Sequence, residues 1–161
     1  MEILEVKQVN DALAEMVALF RVELRSYKGI ASKPNIEAGR EEMEEYLSAK
    51  FPVYAALVDG EYAGYVVCRV DSEVVWVESI FVKEEYRRHG VATALHSKAE
   101  EIAASYGDDT VYNYVHPNNH RMIEFLRKRG YTVLNLIEIR KPYKDEKLRQ
   151  TIAVGEHEFD Y

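Results

Sequence analysis

Between Val53 and Val82 the chain changes its hydrophobic period, and this change restricts the fold more than any other feature. Val53 to Val58 is an apolar run, Asp59-Gly60 follows, Glu61 to Val70 returns, Asp71-Ser72-Glu73 turns again, and Val74 to Val82 makes a third strand. Asp-Gly suits a two-residue hairpin because both of its residues tolerate the positive φ that matches right-handed strand twist. Strands joined by turns this short run antiparallel.

On both sides of this meander the period is helical. Asn10 offers an N-cap, and Leu13, Met16, Val17, Phe20, Leu24 and Tyr27 recur at three and four residues, with Gly29 beyond. A loop through Ser32-Lys33-Pro34 leads to a second pattern carrying Ile36, Met43 and Leu47. After Gly90, the residues Val91, Leu95, Ala99, Ile102 and Tyr106 share one face up to Gly107. Thr110 to Val115, β-branched and aromatic, reads as a strand. Asn118 or Asn119 caps a short helix with Met122, Ile123 and Leu126, closed by Gly130. Tyr131 to Lys141 reads as a last long strand that Pro142 stops, and Glu2 to Lys7 as a first one. Thr151 to Tyr161 is expected to be a further strand, paired with Tyr131–Lys141 in its own chain or on a neighbouring subunit. The order β-α-α-β-β-β-α-β-α-β-β predicts an α+β (mixed α/β) fold, not a doubly wound sheet.

At 161 residues the chain suits one domain, expected over residues 1–161. Its 21 basic and 28 acidic residues give a net charge of −7, which argues against a nucleic-acid partner. The single cysteine, Cys68, excludes an intrachain disulfide and suggests a reducing compartment. Met1-Glu2-Ile3-Leu4-Glu5 lacks the basic and apolar regions of a signal peptide, and no apolar stretch suffices for a membrane span. The expectation is a cytoplasmic protein with no membrane partner.

The segment richest in chemistry is Ile80-Phe81-Val82-Lys83-Glu84-Glu85-Tyr86-Arg87-Arg88-His89-Gly90-Val91-Ala92-Thr93. A buried strand gives way to a short basic loop and then to a helix. Helix N-termini present unpaired N–H groups and a positive dipole end, which attract phosphate. Gly90 lets a pyrophosphate approach the backbone, and Ala92 keeps the next turn small. The residues alone fit equally well an ordinary strand–loop–helix joint with solvated arginines. Gly-x-x-x-x-Gly-Lys-Ser/Thr, Gly-x-Gly-x-x-Gly, Gly-x-Ser-x-Gly and His-Glu-x-x-His are all absent. His116 and His120 are four apart, but Pro117 disfavours helix at His116 and no third ligand is at hand, so no metal site is expected.

Arg87-Arg88-His89-Gly90-Val91-Ala92 resembles the Arg/Gln-x-x-Gly-x-Gly/Ala signature of the GNAT family of N-acetyltransferases. Glu78-Ser79-Ile80-Phe81-Val82 resembles that family's fourth strand. Asn119 to Leu126 with Gly130-Tyr131 resembles its second motif, Asn-x-x-Ala-x-x-Phe-Tyr followed by Gly-Phe. The resemblance is strongest over residues 74–141. It implies a mostly antiparallel, splayed sheet of about seven strands flanked by about four helices, with acetyl-CoA as cosubstrate. The pantetheine arm would pair with the backbone of Ile80, Phe81 and Val82. The pyrophosphate would sit on Arg88, His89, Gly90, Val91, Ala92 and Thr93, with Arg87 adding positive potential. Asn119 would contact the pantetheine side as well as cap its helix.

The chemistry so implied is acyl transfer from a thioester to a primary amine, and an ammonium must first lose a proton. A strand-four amide near Phe81 or Val82 can stabilise the oxyanion that develops. Glu78 is the candidate base, read as alternating with Trp76, Ile80 and Val82 on one apolar face; the competing reading is a carboxylate that pairs with an arginine. In polyamine acetyltransferases of this family a Glu at the matching position takes a water-mediated base role. Leu126 stands where many members carry Tyr, and Tyr112, Tyr114 and Tyr143 are the substitutes considered for the acid. The acceptor is a small cationic amine or a protein amine, and Glu37, Glu41, Glu42, Glu44 and Glu45 can draw a cation or form a solvated face. The alternative is an acyl-CoA-binding sensor or interaction module with little turnover, which Leu126 favours. A homodimer is expected.

Overall fold

The computed structural model describes all 161 residues, Met1 to Tyr161, and the chain divides into two compact units, Met1–His116 and Pro117–Tyr161. The first unit begins with β1 (Glu2–Glu5) and α1 (Asp11–Tyr27). Asn10 starts α1 as predicted: its Oδ1 accepts from the Leu13 amide at 2.9 Å. α2 (Ile36–Ser48) starts in the same way, with the Asn35 side chain accepting from Ala38 N at 3.1 Å.

Three strands follow, β2 (Val53–Val58), β3 (Glu61–Asp71) and β4 (Val74–Val82), then α3 (Val91–Ser105) and a short β5 (Tyr112–Asn113). They form a five-stranded sheet in the order β1-β2-β3-β4-β5. The first four strands run antiparallel and β5 joins β4 in parallel. Asp59 and Gly60, at φ of 52° and 85°, make the predicted tight turn. Ser72 and Glu73 adopt positive φ in the second turn.

Helices cover both sheet faces. Leu13, Met16 and Val17 of α1 and Met43 of α2 pack on Val53, Ala55, Tyr65, Val67 and Phe81. Each fully buried side chain of this kind contributes roughly 1.5–3 kcal/mol. The two helices approach so closely that a Cβ on Gly39 would collide with the carbonyl oxygen of Ala14. α3 takes the other face: a Cβ on Gly64 would lie 3.2 Å from Leu95 and 2.6 Å from the Phe81 carbonyl.

The second unit holds α4 (His120–Lys128) and a separate hairpin of β6 (Thr151–Val154) and β7 (His157–Asp160). Asn119 is the cap of α4, its Oδ1 accepting from Met122 N at 3.1 Å. Two expectations are corrected here. Tyr131–Lys141 is not a strand, since it carries no ladder partner despite its apolar alternation. The tail pairs with itself instead, because Gly155 at φ 62° folds Thr151–Val154 back onto His157–Asp160. The architecture is mixed α+β with a mainly antiparallel sheet and four helices, but the seven strands fall into sheets of five and two.

Candidate active site

The site is built on an unequal pair of edges. On its β3 side, β4 is laddered from Val74 to Val82. On its β5 side the ladder covers only Trp76 and Val77. Beyond Val77 the backbone of Glu78 to Val82 has no strand partner on that side, so no ladder takes up its polar groups there. β5 is anchored elsewhere: Asn113 Oδ1 lies 3.2 Å from Nε2 of the buried His96 on α3. Ile80, Phe81 and Val82 all lie along the open edge.

Glu78 sits where that edge begins, and it is a β-bulge. Val67 pairs with Ser79 and Cys68 with Val77, so Glu78 is an extra residue with no counterpart on β3. The bulge reverses the alternation of the strand. Trp76 pairs with Arg69 and Ile80 with Val66, three residues apart on β3 and therefore on opposite faces. The expected single face of Trp76, Glu78, Ile80 and Val82 is thus corrected. Glu78 is an exposed residue whose side chain is 32% accessible and meets the Arg69 guanidinium at 3.2 Å, while that guanidinium lies 4.3 Å from the Trp76 ring centroid.

A polar layer runs beside Glu78 on the face covered by α1 and α2. Arg21 Nε donates to Glu42 Oε2 at 2.7 Å, and Tyr46 Oη donates to Glu42 Oε1 at 2.7 Å. The bond to Glu42 raises the Arg21 pKa. Burial first, then the bond to Glu42, pushes the Tyr46 phenol up, with a smaller contribution from the charge of Glu78. Below it, Tyr65 Oη and Ser79 Oγ are buried and 2.8 Å apart. These partners satisfy polar groups that burial would otherwise penalise. Tyr112 packs against Trp76 in a tilted arrangement, ring centroids 5.5 Å apart, whereas Tyr114 and Tyr143 are exposed.

The loop from β4 to α3 forms a cradle. A short 3₁₀ turn, Glu84–Tyr86, leads to Arg87, and Arg88 and Gly90 both adopt left-handed φ, 64° and 81°. For Arg88 that conformation costs roughly 1–2 kcal/mol, so its surroundings must hold it. Gly90 precedes α3 and has no side chain with which to cap it, so the first-turn amides of Val91, Ala92 and Thr93 are left for an anion. The space where a Gly90 Cβ would lie is open to 4 Å. An uncapped helix end, an open glycine and an unladdered strand edge are together the fit that a pyrophosphate with an extended arm requires.

Arg87 departs from the simple picture of a solvated cation. Its Nε donates to the Val82 carbonyl at 2.9 Å, and its Nη2 lies 3.3 and 3.4 Å from the two carboxylate oxygens of Glu23 on α1. Sequence reasoning missed both Glu23 and Arg69, because each meets its partner only through tertiary structure. The structure therefore brings Glu78, the Ile80–Val82 edge and the Arg87–Thr93 loop together within the first unit. Asn119 belongs to the second unit, as the α4 cap.

Alongside this geometry stand the likenesses to known proteins. The profile of the acetyltransferase (GNAT) family matches residues 16–131. The N-alpha-acetyltransferase of Sulfurisphaera tokodaii is 30% identical over 114 residues, 60% of this chain and 64% of that protein. An uncharacterized N-acetyltransferase of Methanocaldococcus jannaschii is 33% identical over 81 residues, 46% of this chain and 36% of that protein. The chain spans less than two thirds of the length of either relative. The PaiA N-acetyltransferase of Thermoplasma acidophilum, solved in complex with coenzyme A, shares the fold with a TM-score of 0.63 at 20% identity, covering 80% of this chain and 89% of that one.

Proposed function

The chain belongs to the acetyltransferase (GNAT) family, and from that we propose that it transfers the acetyl group of acetyl-CoA to a primary amine. The observation that carries this reading is the cradle: the uncapped start of α3 beside the open edge of β4. The amides of Arg88 to Thr93 would hold the pyrophosphate and the Ile80–Val82 backbone the pantetheine arm. When bound, acetyl-CoA supplies an activated thioester carbonyl. An amide of Phe81 or Val82 would face the charge that develops on its oxygen.

Glu78 is the group we assign to proton removal from the incoming ammonium. Support comes from its place at the bulge, at the start of the open edge, and from its partial exposure. Only Oε2 faces Arg69, which leaves Oε1 for the proton, directly or through one water.

We propose a small cationic amine as acceptor. A groove of about 420 Å³ between α1 and the β4–α3 loop is lined by Glu15, Glu84 and Glu85 beside Phe81, with Lys83 and the paired Glu23 and Arg87 also in its wall, and the surplus of carboxylates suits a cation. We further propose that residues 1–161 act as one catalytic domain in the cytoplasm, as a homodimer. Support for the dimer is the exposed row of Val133, Leu134, Leu136, Ile137 and Ile139, which has no ladder partner.

The deciding measurement is thermal. Acetyl-CoA at a hundredfold excess over its Kd should stabilise by about 2.7 kcal/mol, roughly 5–10 °C in Tm for a chain of this size. A wild type that shows no shift at saturation sinks the reading. Release of CoA thiol across a panel of amines then identifies the acceptor.

A further inference from the structure

We infer that Glu23 is a positioning residue for the cofactor: acting through Arg87, it holds the β4–α3 loop in the shape that receives the pyrophosphate. The inference rests on the acetyl-CoA reading above and extends it to a residue of α1, 64 positions away from Arg87 in sequence.

Arg87 joins three elements. Its Nε fixes the end of β4 through Val82 O at 2.9 Å, its Nη2 reaches Glu23, and its guanidinium lies 5.7 Å from the Phe81 ring centroid. Its own backbone closes the 3₁₀ turn, Arg87 N donating to Glu84 O at 3.2 Å. The side chain is only 22% exposed, and that of Glu23 25%. A guanidinium so enclosed needs a counter-charge, and Glu23 is its carboxylate partner. Directly after Arg87 comes Arg88, at a left-handed φ that an arginine adopts only when its surroundings impose it. Anchoring the preceding residue on both its main chain and its side chain supplies that constraint.

Without Glu23, Arg87 keeps one neutral acceptor and loses its charge partner. The guanidinium is then free to turn toward solvent, and Arg88 can relax out of the left-handed region. The cradle amides would diverge, and the binding of a pyrophosphate-bearing ligand would carry the cost of reordering them. The fold itself does not depend on this contact, because α1 is held by the apolar face that packs on the sheet. Cofactor affinity should thus fall while stability scarcely moves.

The test is a double-mutant cycle read by calorimetry with CoA as the probe, on the full chain, with apo Tm measured beside it. Glu23→Gln should raise the CoA Kd about tenfold. Arg87→Ala should raise it at least as much, and the double variant should match Arg87→Ala alone, because the inferred effect of Glu23 on the cradle runs through Arg87. The Tm of apo Glu23→Gln should lie within about 2 °C of wild type. Should Glu23→Gln fail to fold, Glu23→Ala, which also removes the carboxylate and suits a helix, gives the same cycle. Wild-type binding with an unchanged Kd in Glu23→Gln overturns the inference alone, as do additive effects in the double variant. A wild type that does not bind CoA overturns the acetyl-CoA reading and this inference together.

Discussion

Arg69 and Glu78 meet at 3.2 Å across the one place where β3 and β4 fall out of step. Both residues depend on that irregularity. A regular ladder would put Glu78 opposite a β3 residue and keep it in the alternation with Trp76. The bulge releases it at the start of the open edge, where Arg69, stacked on Trp76, fixes one of its oxygens. The same irregularity turns Ser79 and Phe81 toward the face carrying Tyr65 and Val67.

Glu78→Gln keeps this shape and removes the basicity. Turnover with the best acceptor should fall 10²–10⁴-fold, on the order of 3–5 kcal/mol of barrier. The CoA Kd should scarcely change, because the cradle lies further along the chain. Full turnover in Glu78→Gln would reduce the residue to a partner of Arg69.

Gly90→Asp should abolish the acetyl-CoA thermal shift. It adds a carboxylate at the point where the pyrophosphate charge would lie, and it forces an L side chain into φ 81°. Differential scanning fluorimetry with and without acetyl-CoA separates the two effects: a lower apo Tm reports strain, and a lost shift reports the site.

Local signals were legible in the sequence wherever a single residue type sets the geometry. Asn10 and Asn119 cap helices, Asp59-Gly60 makes its turn, and Gly90 opens α3 because short-range chemistry suffices at each. The bulge at Glu78 was not legible, since an inserted residue leaves the composition of a strand unchanged and shows only in its pairing. Nor could alternation at Tyr131–Lys141 reveal whether a ladder partner exists. The hairpin of the tail did carry a signal, Gly155-Glu156 between two short β-prone runs, which reads as a two-residue turn.

Leu136→Lys tests the proposed dimer. The side chain is exposed in the row from Val133 to Ile139, so a charge there costs the folded monomer little but would be desolvated between two copies. Light scattering should give twice the 18.6 kDa chain mass for wild type and the single mass for the variant. A wild type of single mass ends the dimer proposal.

Cys68 should resist thiol reagents in the native protein. Burial pushes its thiol up to about 12, so at pH 8 almost none is thiolate. Ellman's reagent should report no fast-reacting thiol under native conditions and one per chain in guanidinium chloride. A fast native reaction would show that β3 opens readily.

His116 should make the protein acid-sensitive in a narrow range. Burial, and secondarily the charge of Lys28, lower its pKa below 6.5 in the folded state, while its ring stacks on Tyr27 at a centroid distance of 6.2 Å. Between the folded value and 6.5 the unfolded chain therefore binds more protons than the native one, and stability rises with pH there. The contribution is fully present above 6.5, declines as pH falls through that value, and levels off once pH is below the folded pKa. The effect should be small, because the ring is only partly removed from solvent. Thermal melts from pH 8 to 5 should show wild type losing more Tm below pH 6.5 than His116→Gln, which retains a polar side chain but cannot take up the proton. Parallel curves for the two proteins would assign the acid loss to other groups.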